Sequence, residues 1–378
     1  MASVDDHGSR DLVTVAPDEP LDTAAGQMAE RRVGAAPEVE REKHSHRGFV
    51  AAFLGSWLVL IGAVLAFNLL VDPFAIAGTN LVPSAVETDR AIKLTLLEQL
   101  RSAPEILVLG SSRSRQAEPA FLRRLTGHQG FNAGVTGGTA ADAWVFTRVA
   151  AQIFPAHGRR YIWFVDAGVA TNGVNPQLEA DPRAKRYLSG QHGLALGDLS
   201  TYISPQASSA SLRVIYKCVV HPCPAPRKFN PDGSIRQSAL GSLPEQSPNA
   251  AVAAAQMVAN IRARPPTELG SIDPKRYAFF ERTLAFMNAR GERPVIVLNP
   301  IYPTVLAELE RYGYPQRKAA LAYLQALHRR FDFVLVDCQD IRAWGGSARD
   351  FSNPTHVNQR NMRRMLAYIV RNAGGVLT

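Results

Sequence analysis

Unbroken apolar runs alternate with helical patterns from about residue 91 to the end of the chain. The apolar runs lie at 105–109, 161–165, 294–298 and 332–336. Each lacks the polar alternation of a half-exposed strand, which indicates strands that are covered on both faces. The helical patterns lie at about 91–102, 117–125, 139–153, 275–290, 315–329 and 358–372. This alternation predicts an α/β fold, a three-layer arrangement with a parallel sheet between two layers of helices.

One segment interrupts the alternation. Between about residues 174 and 271 the sequence is rich in Pro, Ser, Gly and Gln, with only scattered helical patterns. We expect an insertion over one edge of the sheet, within an α/β domain at about 104–373. Long insertions of this kind commonly shape substrate sites. A linker and a helix at 72–103 precede the domain.

A long apolar segment lies nearer the N-terminus. Residues 48–71 contain no charged residue, and 24 residues at about 1.5 Å each cover the roughly 30 Å hydrocarbon core of a bilayer. A buried core helix of this length would carry a polar face. A cleaved signal peptide would be shorter and would start closer to Met1. The segment predicts an uncleaved transmembrane helix, preceded by a disordered, polar tail at 1–47.

The basic residues around this helix predict its orientation. Five lie shortly before it and the first one after it is Arg90; the five are Arg31, Arg32, Arg41, Lys43 and Arg47. Basic residues favour the cytoplasmic side. We therefore expect a single-pass protein of a bacterial inner membrane, with a cytoplasmic N-terminus and residues 72–378 in the periplasm or otherwise outside the cytoplasm.

The net charge of the chain indicates which classes of binding partner to expect. Residues 1–47 hold six Lys and Arg against ten Asp and Glu, so the remainder carries +13 within the total of +9. A basic outer domain favours anionic partners such as acidic glycans or lipid head groups, although a generally basic solvated surface is the commoner explanation of such a charge. The basic residues are not interleaved with aromatic ones, so a nucleic-acid partner is not expected.

Two cysteines lie close together in "CVVHPC". Cys218 and Cys223 are suited to a local disulfide in an oxidising compartment. Metal binding is the weaker alternative, because His221 is the only further ligand type beside them. No cofactor or metal is expected.

Three short segments carry candidate chemistry. The run "EILVLGSSRSRQ" ends a strand in Gly-Ser-Ser, which places Ser112 at the carboxyl end of a parallel strand, where sites of α/β proteins lie. A second strand end opens into a helix in "FNAGVTGGTAADAW", whose glycines let backbone N–H groups approach an anion. In "DFSNPTHVNQRN", His356 precedes the C-terminal helix. Serine, glycine-rich turn and late histidine are the parts of an acyl-transfer site.

In this order the segments resemble the SGNH (GDSL-type) hydrolase superfamily. The stretch "LGSS" matches its first block, with Ser111 in the position of Asp and Ser112 as the nucleophile. The stretch "NAGVTG" matches the second block and assigns an oxyanion-binding glycine to Gly137. The third block should follow the strand at 161–165, where "VDAGVATN" lacks the family pattern and leaves Asn172 as the amide donor.

The last block of the family is Asp-x-x-His, and "NPTH" matches it with His356 as general base and Asn353 in place of Asp. An asparagine can hold an imidazole in one tautomer but cannot stabilise imidazolium as a carboxylate does. Asp350 is the alternative partner if the turn folds back. The stretches "NLLVDPF" and "LGSSR" give a closer resemblance to uncharacterised bacterial single-pass membrane proteins with an SGNH-like outer domain.

The resemblance implies a flavodoxin-like fold and a serine esterase or O-acyltransferase. With the membrane helix, it implies action on an acyl ester of the cell envelope or of an exopolysaccharide. Arg113 and Arg115 would clamp a carboxylate or phosphate of the substrate, or else pair with Asp166. The alternative is a catalytically impaired SGNH-like domain that binds glycans or serves as an assembly component.

Overall fold

The computed structural model describes most of the chain. The described residues are 39–74, 77, 79, 81–82, 88–166, 173–179, 181–189, 196–220, 228–242, 249–266 and 277–378. The chain divides into two compact units, Met1–Ala63 and Val64–Thr378. Of the predicted tail, residues 1–38 lie outside the described part. Residues 39–47 are helical, since Glu, Lys and Arg are good helix formers.

The first helix contains the apolar segment. Helix α1 runs over Val39–Val71, and its stretch His46–Val71 has a mean hydropathy of 2.4. Among the described residues it is the one helix long and apolar enough to cross a membrane. By length and composition it therefore agrees with the predicted segment at 48–71.

A five-stranded parallel sheet forms the centre of the second unit. Its strands are β1 Ile106–Leu109, β2 Gly130–Asn132, β3 Arg160–Val165, β4 Val295–Leu298 and β5 Val334–Asp337. Their order is β2-β1-β3-β4-β5, and every neighbouring pair is parallel. The predicted α/β fold with a parallel sheet is confirmed. The order reverses between β1 and β3, and such a switch point opens a crevice at the carboxyl ends of the strands.

Helices surround the sheet and fill the insertion. They are α2 Asp89–Glu98, α3 Pro119–Thr126, α4 Ala140–Ile153, α5 Pro176–Glu179, α6 Pro182–Leu188, α7 Leu196–Ile203, α8 Pro205–Val220, α9 Ala250–Ala263, α10 Ala278–Ala289, α11 Pro303–Arg311, α12 Pro315–Leu327 and α13 Gln359–Asn372. The predicted insertion thus contains α5–α9. The helix α11 has no counterpart among the predicted helices.

The strands bury both of their faces. In β1, Leu107 and Leu109 pack in one apolar cluster with side chains of α2, α4, α10 and α12. Ile106 and Val108 alternate with them and pack in a second cluster with α3 and α13. Because neighbouring strand residues point to opposite faces, this alternation gives the predicted three layers.

Local signals explain where these helices begin and end. The predicted helix at 91–102 starts earlier, at Asp89, because the side chain of Thr88 caps it by accepting the N–H of Ala91 at 3.1 Å. Helix α3 ends at Gly127, which adopts the left-handed conformation with φ +80°. Helix α13 begins after Asn358, whose side chain accepts two backbone N–H groups of the first turn.

The pairing of the two cysteines stays a prediction. Cys223 lies outside the described residues, as does the side chain of Cys218, whose backbone belongs to α8. In the described part of the chain, Cys338 is a buried free thiol.

Candidate active site

Ser112 follows β1 at the switch point of the sheet. The chain passes through Gly110 with φ +142°, where a Cβ would lie 2.9 Å from the carbonyl oxygen of Phe164, so only glycine fits. A single 3₁₀ turn then begins at Ser112. This tight turn presents the Ser112 hydroxyl at the carboxyl edge of the sheet.

His356 reaches the same place from the end of the chain. A two-stranded antiparallel hairpin, β6 Phe351–Asn353 and β7 His356–Val357, precedes α13 and pairs Asn353 with His356. The Nε2 atom of His356 lies 2.8 Å from the Oγ of Ser112, although 244 positions separate the two residues in the chain. The fold therefore brings together the predicted serine and the predicted histidine.

The amide of Asn353 fixes the tautomer of the histidine. The backbone N–H groups of Thr355 and His356 donate to one amide atom of Asn353, at 2.9 and 3.0 Å. That atom must be the oxygen, because the amide nitrogen offers no acceptor. The Nδ1 of His356 lies 3.0 Å from the same oxygen and therefore carries the proton. This leaves Nε2 unprotonated, as an acceptor for the Ser112 hydroxyl.

The surroundings keep the imidazole neutral. Burial, and after it the positive charges of Arg113 and Arg115, lower the pKa of His356 to about 4, while Asp166 opposes them. Desolvation and nearby cations both disfavour imidazolium. At neutral pH the histidine is thus able to accept a proton, but no carboxylate touches its Nδ1 among the described contacts.

Asp350, the alternative partner of the histidine, is engaged elsewhere. Its carboxylate accepts hydrogen bonds from Arg364 at 2.7 Å and from Asn358 at 3.2 Å. It ties the hairpin to α13 and makes no described contact with His356. The turn does not fold back, because the pairing of β6 with β7 directs Asn353 to the imidazole.

A glycine turn lies on the other side of the serine. Gly137 has φ +58° and is exposed at the tip of this turn. Its neighbour Gly138 packs so closely on the serine loop that a Cβ there would lie 2.4 Å from the Gly110 carbonyl oxygen and 3.1 Å from the Cα of Ser111. The predicted oxyanion glycine thus lies in a turn that contacts the serine loop directly.

The predicted amide donor, Asn172, lies outside the described residues. A different asparagine, Asn175, stands beside the turn: its Nδ2 is 3.8 Å from the position a Cβ would take on Gly137. The Oδ1 of Asn175 accepts the N–H of Gln177, which directs the amide N–H₂ away from α5. Asn175 was not predicted; the stretch "TNGVN" contains both asparagines, and its sequence alone does not show which of them faces the turn.

The buried amide of Asn132 joins the two loops. Its Nδ2 donates to three carbonyl oxygens of the serine loop, those of Ser114, Arg115 and Ala117, and its Oδ1 accepts the N–H of Gly134. Asn132 is the first residue of the matched block "NAGVTG". Its buried amide sets the distance between the serine loop and the glycine turn.

Two basic residues of α2 hold the glycine turn by hydrogen bonds to its backbone carbonyl oxygens. The buried Arg90 donates to the Gly137 carbonyl oxygen at 3.1 Å and pairs with the carboxylate of Asp142 at 2.6 Å. The buried Lys93 donates to the Gly134 carbonyl oxygen at 2.6 Å. Asp142 also accepts the N–H of Thr139 at the start of α4. These contacts fix both ends of the turn to secondary structure.

The two arginines of the serine loop differ in exposure. Arg113 is partly exposed and pairs with Asp166 at 2.9 Å, which was the alternative to substrate binding. Arg115 is 1% exposed and binds Asp89 at 3.0 Å and Thr136 at 2.7 Å. A side chain so deeply buried cannot clamp a substrate. The structure gives Arg115 a structural place beneath the site.

Comparison with protein families and curated proteins does not identify a family for this chain. No protein-family model matches the chain, and a search of curated proteins finds no matching relative. The function therefore has to be argued from the geometry of the site.

Proposed function

We propose that this protein is a membrane-anchored SGNH-like ester hydrolase or O-acyltransferase. The observation that carries the proposal is the 2.8 Å contact between the Ser112 hydroxyl and Nε2 of His356. Nucleophile, base and orienting group in hydrogen-bond sequence are the signature of an activated serine. The strand order is the flavodoxin-like 2-1-3-4-5 order, which suits the family resemblance.

The first half of the reaction acylates the serine. The Ser112 oxygen attacks the ester carbonyl carbon, and its proton passes to His356 Nε2. The carbonyl oxygen becomes an oxyanion, which we assign to the backbone N–H groups of Ser112 and Gly137 and the amide of Asn175. Imidazolium then returns the proton to the departing alkoxide. Loss of one such oxyanion donor typically costs about 3 to 4 kcal/mol.

The second half transfers the acyl group from the serine to water or to an acceptor hydroxyl. His356 removes the proton of the incoming oxygen, and the serine leaves with that proton restored. The proposed substrate is an acyl ester of the cell envelope or an exopolysaccharide. Its support is the anchoring helix and the net charge of +13 after residue 47, which favours an anionic glycan in the periplasm.

A second candidate function follows from Asn353. A neutral amide gives imidazolium no counter-charge, and the lowered pKa of His356 shows how unfavourable that charge is here. These facts favour slow catalysis, or an SGNH-like domain that binds a glycan or serves as an assembly component. Covalent labelling separates the two functions, because only an activated serine reacts.

The test is labelling of the full-length protein with a serine-directed fluorophosphonate. We expect wild type to be labelled and Ser112→Ala to be unlabelled with its fold intact. Ser102→Ala is the matched control, because Ser102 is exposed before β1 and makes no described contact with the site. If wild type is labelled no better than Ser112→Ala, the catalytic function is refuted and the binding function takes its place.

A further inference from the structure

One helix of the insertion exposes apolar and basic residues on a single face. We call this the α8 face; it comprises Ser209, Leu212, Arg213, Tyr216 and Lys217. Leu212 is 61% exposed and Tyr216 is 67% exposed, whereas the opposite side of α8 is buried. Their spacing of three and four positions puts them on one stripe of the helix.

The start of α8 is bound to the end of α1. Asn68, fully buried near the end of α1, donates through Nδ2 to the Tyr202 carbonyl oxygen at 2.6 Å and to the Ser208 hydroxyl at 3.0 Å. The Tyr202 hydroxyl also hydrogen-bonds the carboxylate of Asp72. These buried contacts hold the junction of α7 and α8 at the end of the apolar helix.

The length of the apolar helix gives the depth of this junction. The stretch His46–Val71 has 26 residues, and at about 1.5 Å per residue it exceeds the roughly 30 Å hydrocarbon core. Asn68 lies three residues before its end, so it stands at the bilayer surface when the helix spans. The groups that bind Asn68 must stand at the same level.

The chemistry of the α8 face suits that level. Tyrosine is enriched where membrane meets water, and Lys or Arg beside apolar side chains is the pattern of helices that lie on anionic membranes. Each basic residue near an anionic surface adds to the electrostatic attraction between helix and membrane. Two further exposed apolar side chains, Leu70 and Leu81, belong to the segments on either side of Asp72.

We propose that the α8 face lies on the bilayer surface. Leu212 and Tyr216 enter the head-group layer, and Arg213 and Lys217 bind the phosphates of anionic lipids. The outer domain is then held to the membrane at a second place besides its spanning helix. This inference does not depend on the reaction at Ser112.

Depth-dependent quenching tests the proposal on the full-length protein in vesicles. Leu212→Cys and Tyr216→Cys, each in a background with Cys218→Ser and Cys223→Ser, carry an environment-sensitive fluorophore, while Cys338 stays buried. Val252→Cys on α9 is the matched control, because Val252 is apolar and 64% exposed. Lipids with a quencher near the head group should quench the two α8 labels several-fold more than the Val252 label. Equal quenching at all three positions would overturn the proposal.

Two further arms identify the occupant of the face. With Arg213→Glu and Lys217→Glu together, quenching should fall in vesicles that contain phosphatidylglycerol and change little in pure phosphatidylcholine. The control pair Arg349→Glu and Arg371→Glu, both exposed elsewhere, should change neither. Quenching that ignores the α8 charges contradicts the anionic-lipid part. Efficient cross-linking of Tyr216→Cys to a second copy, with no lipid quenching, shows that another protomer covers the face.

Discussion

The hairpin that carries His356 and the turn that carries Gly137 flank the same serine, but different chemistry holds them. Hydrogen bonds to the neutral amide of Asn353 orient the histidine. Buried charges hold the turn, above all Arg90 paired with Asp142. The charges therefore support the backbone that would bind an oxyanion, and the group that would become positive receives no negative partner.

The two kinds of support act on different properties of the site: one fixes the backbone geometry, and the other sets how easily His356 takes up a proton. A buried ion pair with further hydrogen bonds fixes backbone geometry strongly, since removal of one partner leaves an uncompensated charge. A carboxylate beside His356 would instead favour imidazolium at rest. The neutral amide keeps the base unprotonated over a wide pH range but makes proton acceptance from the serine harder. The backbone of the glycine turn is therefore firmly held, whereas proton transfer from Ser112 to His356 receives no support from a nearby negative charge.

The largest effect should follow removal of the base. We expect His356→Ala to lower kcat for an activated ester by roughly four to six orders of magnitude, because Ser112 loses its proton acceptor. His128→Ala is the control, since His128 binds Glu105 away from the site and its loss should leave kcat unchanged. Equal activity of the two variants would remove His356 from the mechanism.

Loss of the charge beneath the turn should act mainly on stability. Arg90→Met leaves the buried Asp142 without its cation, so the free energy of unfolding should fall by about 3 to 5 kcal/mol. Arg342→Met, at an 86% exposed arginine paired with Asp340, should lower the free energy of unfolding far less, because solvent screens that pair. Urea denaturation of the full-length protein in detergent measures both. Similar losses would show that the pair does not hold the turn.

The sequence predicted the strands well and the support of the site poorly. Strand ends such as Leu109 and Leu298 follow from apolar runs buried on both faces. The three-residue strand β2 is too short to give an apolar run, so the sequence predicts only the end of this strand. Arg90 and Lys93 look like surface residues in the sequence, because their hydrogen-bond partners lie 39 to 87 positions away. Only tertiary structure shows which distant acceptor meets a buried charge.

The site residues also fall into two groups, those that short sequence motifs predict and those that only tertiary contacts reveal. Ser112, His356 and Asn353 belong to short local motifs, so block order was enough to bring them together. The position of Asn175 beside Gly137 and the burial of Arg115 against Asp89 and Thr136 depend on contacts between segments that are distant in the chain. Local pattern does not contain that information.

A carboxylate at position 353 should supply the negative charge that the histidine hairpin lacks and the glycine turn already has. In Asn353→Asp the backbone N–H groups of Thr355 and His356 still meet an acceptor, so the hairpin is kept. An opposite charge raises the pKa of an imidazole by about 1 to 3 units. The acid limb of the kcat/KM profile should therefore move up by that amount from about pH 4, and kcat should rise. Asn353→Ala should lower kcat without the upward shift, and a fall of kcat in Asn353→Asp would contradict the argument.

The smallest effects should come from the pair Arg113 and Asp166 beside the histidine. Arg113 lowers the pKa of His356 and Asp166 raises it. Arg113→Gln removes a cation, which makes imidazolium easier to form, so the acid limb should move to higher pH. Asp166→Asn removes an anion, so the limb should move to lower pH. Because both groups are partly exposed, solvent screening should hold each shift below about one unit. The directions must be opposite; shifts of the same sign would show that the imidazole does not set the acid limb.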